Sequence, residues 1–316
     1  MEPVLANRLK NRHRHLRKWG RRTDSSAWRL YERDIPAYPL VLDWYDGHAV
    51  CWLLERRSDA ADALEAEARR AGFRQRVLAE IMAGLDLPAE RVVLKSRRRE
   101  AGAGRYRPDH AQSLPVTVRE HGLALHCDLG PYVDTGLFMD HRTTRQWLRE
   151  RVAGKRVLNL FAYTGAFTVA AAAGGAASTL SVDLSNTYVA WQQKNLALNN
   201  LTDAARHRHL RKDCLRFLAE AADEKFDYII CDPPTFSTST AMARDFAVGP
   251  DHPWLLWRCW NRLASGGTII FSTNDRGFRL AEQGLPPGQW TETTPASIPE
   301  DFRNRRIHRC WRVVRP

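Results

Sequence analysis

The amino-acid sequence predicts an α/β fold: a parallel sheet with helices on both faces, preceded by a small α/β module and a basic N-terminal helix. Three observations carry this. From residue 156 onward, short apolar runs alternate with helical patterns, the texture of βαβ units. Residues 36–135 combine paired β-rich runs with one long helical pattern, and the first 22 residues carry a basic amphipathic pattern of their own. The expected organisation is therefore a basic extension over 1–35, a module over 36–135 and a larger domain over 136–316.

The elements follow in order. Residues 4–22, "VLANRLKNRHRHLRKWGRR", place Leu5, Leu9, Leu16 and Trp19 along one side of a helix, with Gly20 as the expected stop. "YPLVLDWYDGHAVCWLLE" (38–55) reads as two strands turning at Asp46-Gly47. A long helix is expected over 58–85, capped by Ser58 or Asp59, then a strand over 91–97. "LPVTVREHGLALHCDL" (114–129) gives a second strand pair turning near His121-Gly122. Asp140 is placed to cap a helix running to about Val152. Strands are then expected at 156–161, 178–183, near 206–210, 226–231 and 267–272, with helices at about 166–174, 186–199, 214–222 and 251–264. Right-handed crossovers put the ligand-binding loops of such a sheet at the carboxyl ends of its strands.

Composition narrows the class. No apolar run approaches the roughly 18 residues of a membrane span, and no apolar stretch near the start reads as a secretory signal. Six cysteines (Cys51, Cys127, Cys214, Cys231, Cys259, Cys310) lack any C-x-x-C pairing, which argues against zinc and a disulfide framework and suits a reducing cytoplasm. The net charge of +12 is concentrated. Residues 1–35 hold ten Lys/Arg against four acids, residues 95–107 hold six against one, and residues 301–316 hold six against one. Charge gathered in short segments reads as a polyanion footprint, nucleic acid before a membrane surface.

The loop "NLFAYTGAFT" (159–168) joins the first strand of the sheet to a helix, with Gly165 allowing close backbone approach. G-x-G-x-x-G and the P-loop pattern are both absent, which weighs against dinucleotides and nucleoside triphosphates. Acids recur at strand ends. Asp183 stands 18 residues after Gly165, where a carboxylate accepts from a ribose diol. Asp213 follows the third strand, where it could accept from an adenine amine, and Asp232 closes the fourth. Ribose and adenine without phosphate point to S-adenosylmethionine. In "CDPPTFSTST" (231–240), Pro233 and Pro234 stiffen the backbone and offer no N–H. Their carbonyls and Asp232 remain acceptors beside the methyl donor, and Phe236 offers a face on which a base can stack.

Several segments together, "NLFAYTGAFTVAA", "SVDLSNTYVAWQQKNLALNNL", "FDYIICDPPTFSTS", "GGTIIFSTNDRGFR" and "DFRNRRIHRCW", resemble the Rossmann-like class I methyltransferases that modify bacterial large-subunit (23S) ribosomal RNA. The resemblance is to the RlmK type, which forms N7-methylguanosine and is commonly the C-terminal half of a fused protein whose other half forms N2-methylguanosine. It spans nearly the whole chain, including "ANRLKNRHRHLRKW" and "YVDTGLFMDHR". It implies that Phe161, Thr164 and Gly165 line the methionine part of the cofactor, that Asp183 holds the ribose, that Asp213 and Cys214 sit at the adenine, and that Asp232 borders the sulfonium. It further implies that Phe138, Asp140 and Arg142 close the pocket, with Arg142 a candidate for the cofactor carboxylate. The upstream half is absent, so the chain looks like a stand-alone version, with a separate N2-guanine methyltransferase as a candidate partner. "FSTST" also lacks the lysine expected soon after the serine in relatives.

The same scaffold serves 5-methylcytosine enzymes, which need a cysteine nucleophile in a segment matching Ser272-Thr273-Asn274-Asp275; none stands there. Guanine N7 carries an in-plane lone pair and needs only positioning. N2-methylation of guanine stays open, because Asp-Pro-Pro-Phe loops also supply acceptors for amines. A non-catalytic RNA-binding protein is the third reading. Arg12, Arg14, Arg17, Lys18 and Arg98 are the expected RNA backbone contacts, and Asn274 the candidate for a base edge.

Overall fold

The computed structural model describes residues 4–54, 63–96, 112–132, 134–221, 223–237 and 245–316. Ser58, Asp59 and Arg98 lie outside them. The chain divides into two compact units, Met1–Met139 and Asp140–Pro316.

The first unit contains α1 (Val4–Arg22), β1 (Ala27–Glu32), β2 (Leu40–Tyr45), β3 (His48–Leu53), α2 (Ala63–Leu85), β4 (Val92–Ser96), β5 (Pro115–Glu120) and β6 (Leu123–Asp128). Strands β1 to β4 form one sheet in sequential order, with β4 parallel to β3 and the other pairs antiparallel. Strands β5 and β6 form a separate hairpin. Both expected turns take positive φ at two successive residues, 41° and 92° at Asp46-Gly47 and 49° and 79° at His121-Gly122. That is the turn geometry whose twist matches flanking antiparallel strands.

Helix α1 buries Leu5, Leu9 and Leu16 completely, in one hydrophobic cluster with Leu40 and Leu42 of β2 and Ile81 of α2. The segment expected as an extension over 1–35 thus contributes side chains to the core of this unit. Its first N–H groups are met from another helix: Glu80 Oε2 accepts from Leu5 N at 2.9 Å and Ala6 N at 3.1 Å, a carboxylate at the positive helix end. Gly20 does not stop α1, which continues to Arg22. It is a glycine because a Cβ there would lie 2.6 Å from the Ser25 carbonyl and 2.7 Å from the Trp28 ring.

The second unit contains α3 (Arg142–Arg149), β7 (Arg156–Leu160), α4 (Ala166–Ala173), β8 (Ser178–Asp183), α5 (Asn186–Ala197), β9 (His207–Arg211), α6 (Cys214–Ala219), β10 (Phe226–Cys231), β11 (Phe236–Ser237), β12 (Phe246–Ala247), α7 (Val248–Arg262), β13 (Leu263–Thr273), β14 (Gln289–Glu292), α8 (Thr294–Ser297) and β15 (Arg309–Val314). Its main sheet has the order β14-β15-β13-β10-β7-β8-β9. Five strands are parallel, as the alternation predicts. The sheet departs from the expectation at one edge, where β15 runs antiparallel to both β13 and β14. These two strands are short and rich in polar residues, and a long irregular stretch precedes them, so they carry no apolar run to announce them. The strand order reverses between β7 and β10. The loops after these two strands therefore leave the sheet on either side of a switch point, where open α/β sheets hold ligands. Among the described residues, no helix is long and apolar enough to cross a membrane.

Candidate active site

The loop after β7 is held in an uncommon backbone shape. Phe161, Tyr163 and Gly165 have φ of 52°, 49° and 79°, and two of these are bulky residues for which the left-handed region is costly. Surrounding groups over-determine it. Asp183 Oδ2, at the end of β8, accepts from Tyr163 N at 2.8 Å. From α5, Gln192 Nε2 donates to the Tyr163 carbonyl at 2.9 Å and Asn195 Nδ2 to the Thr164 carbonyl at 2.8 Å. Cys214 Sγ lies 3.2 Å from Phe161 N. A Cβ at Gly165 would meet Gln192 Cγ at 2.9 Å, so glycine is required by both the φ angle and the approach of α5. Beneath the loop, Asn159, Thr168 and Ser181 form a buried hydrogen-bonded chain, Asn159 Nδ2 to Thr168 Oγ1 at 2.9 Å and Thr168 Oγ1 to Ser181 Oγ at 2.6 Å.

Asp183 also accepts from Ser185 N at 2.9 Å. Burial pushes its carboxyl pKa above the ordinary value, and the backbone N–H groups of Ser185, Tyr163 and Leu184 oppose that rise only in part. Asp213 is buried and caps α6, accepting from Leu215 N at 2.9 Å, so its carboxylate has a structural task beside any ligand contact. Cys214, next to it, is buried, and its thiol donates to the Val182 carbonyl at 3.4 Å.

On the other side of the switch point, Asp232 follows β10. Its Oδ1 accepts from Ser272 Oγ of β13 at 2.6 Å, and its Oδ2 lies 3.6 Å from His141 Nε2. Pro233 is buried and Pro234 exposed. Among the described residues, Phe236 is the most open of the large hydrophobic side chains, 61% exposed. It begins a two-residue ribbon with β12, pairing with Ala247. Asn274, just past β13, is exposed, and its Oδ1 accepts from Thr235 Oγ1 at 2.7 Å.

A cluster unforeseen in the sequence lies beside Asp232. His141 and His308 stack face to face, with centroids 4.3 Å apart and planes at 11°. His308 bonds Asp140 Oδ2 at 2.8 Å through Nδ1 and Ser297 Oγ at 2.8 Å through Nε2. The ligand atoms of Asp140, His141 and His308 lie within 4.8 Å of one another. Both His308 nitrogens are engaged by protein partners, so the structure shows the arrangement as a hydrogen-bonded cluster. Burial, the largest influence, holds the His141 pKa below its ordinary value even beside Asp232. "FMDHR" contained His141; nothing in the sequence tied it to His308.

The remaining expected residues are dispersed. Asp140 sits in a 3-10 turn before α3, whose N-cap position is His141. Arg142 is buried and matched by Asp301, Nη1 to Oδ1 at 2.9 Å. Its guanidinium thus has a protein carboxylate as one partner. Phe138 belongs to the first unit and is half-exposed. On α1, Arg14, Arg17 and Lys18 are exposed and Arg12 is partly buried.

The left-handed loop, the close approach at Gly165 and the partly buried acceptor Asp183 fit the methionyl and ribose parts of an adenosyl cofactor. A family model described as S-adenosylmethionine-dependent methyltransferase matches residues 34–282. The chain is 40% identical over 320 residues to ribosomal RNA large subunit methyltransferase K of Neisseria meningitidis serogroup B, covering 98% of this chain and 86% of that protein. It is 42% identical over 315 residues to ribosomal RNA large subunit methyltransferase K/L of Marinobacter nauticus, again over 98% of this chain, and spans 42% of that longer protein. Among solved structures, SMU.776 complexed with SAH superposes with a TM-score of 0.75 at 22% identity, over 98% of this chain and 81% of that one. The S-adenosylmethionine-dependent methyltransferase from Agrobacterium tumefaciens gives 0.55 at 22% identity, over 75% and 70%. These two likenesses speak to the fold; the family match and the relatives together establish that the chain belongs to the S-adenosylmethionine-dependent methyltransferase family.

Proposed function

We propose that this enzyme methylates N7 of a guanine in large-subunit ribosomal RNA by direct transfer. The observation that carries the reading is the loop after β10: an acceptor, Asp232, a stiff Pro233-Pro234 pair and an exposed Phe236 follow one another at the carboxyl edge of the sheet. S-adenosylmethionine supplies the methyl group as a sulfonium electrophile, whose positive charge passes to the purine when the N7 lone pair takes the methyl, with no proton lost. The protein's part is placement. Phe236 gives the base a surface worth about 1–3 kcal/mol in stacking, and the Ser272 hydroxyl holds the Asp232 carboxylate. Both relatives named above are ribosomal RNA large subunit methyltransferases, which motivates the choice of RNA.

A covalent cytosine mechanism has no nucleophile available. All six cysteines are buried. Burial raises the thiol pKa of Cys214 and Cys231, and that of Cys310 to about 11, so these three are not poised as thiolates. The test is tritium transfer from S-adenosylmethionine to unmodified large-subunit RNA, followed by nucleoside mass spectrometry. The expected product is 7-methylguanosine. Appearance of 5-methylcytosine or N2-methylguanosine in its place would overturn the reading, as would cofactor binding with no transfer to RNA.

A further inference from the structure

We propose that Thr235 and Asn274 form a donor-presenting pair that selects a purine carrying an oxygen at position 6; the proposal rests on the N7-guanine reading. Thr235 stands between Pro234 and Phe236, and Asn274 follows the neighbouring strand, so the pair bridges the two strand ends beside the exposed ring. A second bridge, Ser272 to Asp232, ties the same two strand ends. The pair is therefore fixed at two points.

The bridge ties the Asn274 amide to Thr235, with the amide oxygen turned to the hydroxyl. An asparagine side chain has one acceptor and one donor group, and either can face a ligand. Here the Thr235 hydroxyl donates to Asn274 Oδ1 at 2.7 Å. That bond turns the amide oxygen toward Thr235, and among the described residues the Nδ2 amine, on the other side, meets no acceptor. Asn274 is exposed, one loop away from Phe236. A base stacked on Phe236 with N7 turned toward the methyl donor brings its position-6 substituent to the same side, because N7 and position 6 share one edge of a purine. Guanine carries an acceptor, O6, at that point, and adenine carries a donor, the N6 amine. The outward-turned Nδ2 donor bonds the first and leaves two donors facing each other with the second. Where the stacked base shuts water out, a mismatch of that kind discriminates more strongly than the absence of one hydrogen bond.

Thr235 is in this account a positioning residue: it touches the base only through Asn274. Thr235→Val removes the hydroxyl and lets the amide turn either way. Thr235→Ser keeps it. Asn274→Asp replaces the donor with an acceptor.

The experiment uses the full chain and RNA assembled by splinted ligation. The methylated nucleotide is first mapped by chemical cleavage at 7-methylguanosine, then supplied as guanosine, inosine or 2,6-diaminopurine. Inosine keeps the oxygen at position 6; diaminopurine carries an amine there. Wild-type enzyme is expected to use guanosine and inosine comparably and to disfavour diaminopurine. The guanosine-to-diaminopurine ratio of kcat/KM is expected to fall about tenfold or more in Asn274→Asp, to fall by a smaller factor in Thr235→Val, and to hold in Thr235→Ser. Melting temperature and calorimetric S-adenosylmethionine affinity are expected to be unchanged in all three. An unchanged ratio in Asn274→Asp and Thr235→Val, with 7-methylguanosine still the product, overturns the inference and leaves the N7 reading standing. A product other than 7-methylguanosine overturns both.

Discussion

Asp183 accepts from the backbone N–H groups of Ser185, Tyr163 and Leu184 and is still raised in pKa, because burial outweighs them. The sign of the consequence is fixed. A carboxyl whose folded pKa is raised binds its proton more tightly in the native state, so its contribution to stability is present at low pH and is lost as pH rises through that pKa. Binding runs the other way: the ionised carboxylate is the better acceptor for ribose hydroxyls. S-adenosylmethionine affinity, measured by calorimetry, is therefore expected to fall as pH drops through the raised pKa of Asp183, at a higher pH than an ordinary aspartate would give. Asp183→Asn is expected to bind weakly and to lose that pH dependence; an equally steep profile in the variant would assign the titration elsewhere. Cys231 and Cys259 give a second residue-level outcome. Both are buried in the core of the second unit. Cys259→Ala is expected to lower the melting temperature through the cavity it leaves while turnover on RNA persists. Loss of transfer in a folded Cys259→Ala protein would point to covalent catalysis.

The elements show what the sequence could and could not disclose. The parallel strands and the two glycine turns were legible because apolar runs and the Asp-Gly and His-Gly pairs are local signals. The loop bearing Gly165 and the three strand-end acids were legible for the same reason. The antiparallel edge strand β15 was not, since Arg309 and Arg312 interrupt its apolar residues and it pairs with β13 over a long sequence separation. The stacking of His141 on His308 was hidden likewise: residues 141 and 308 are far apart in sequence and meet only in the folded chain. Helix α1 looked like a basic arm, because its four apolar positions are outnumbered by charge. Its packing gives two outcomes. Leu9→Ala, fully buried, is expected to destabilise the first unit by about 2–5 kcal/mol, read from denaturant unfolding; a cost near zero would mean α1 is a detachable arm. His13 lies against the Trp44 ring at 4.3 Å and the Trp28 ring at 5.8 Å. Burial, then Arg17, lowers its pKa to about 4. Its neutral form is the one the fold holds, so the associated stability is complete above about pH 6.5 and is lost as pH falls toward 4. His13→Phe keeps an aromatic ring there and is expected to shrink the difference in melting temperature between pH 7 and pH 5.

Charge is a property of the whole chain, and the structure redistributes the three basic segments that the sequence treats alike. In the last of them, Arg305 donates to the Pro299 and Pro295 carbonyls, Arg309 pairs with Glu292, and Arg315 donates to the Trp260 and Leu263 carbonyls. Arg312 lies over the Trp147 ring at 4.4 Å. These four arginines hold the edge of the sheet. Of the middle segment, only Lys95 and Ser96 are described, and Lys95 is buried, its Nζ donating to the Tyr132 carbonyl at 2.5 Å. The outer face of α1 is different: Arg14, Arg17, Lys18, Arg21 and Arg22 are all exposed, behind a buried apolar face that fixes the helix in place. A rigid basic stripe of this kind suits phosphate contacts that carry no sequence information. Replacing Arg14, Arg17 and Lys18 together by glutamine is expected to weaken RNA binding and to reduce the slope of log affinity against log salt by about 2 to 3, an increment of roughly 0.7–0.9 for each phosphate no longer neutralised. S-adenosylmethionine affinity should not change, since none of the three belongs to the unit that holds Asp183. A salt slope identical to the wild type would move the RNA path off α1, and a parallel loss of cofactor binding would show that these side chains support the fold instead of the RNA.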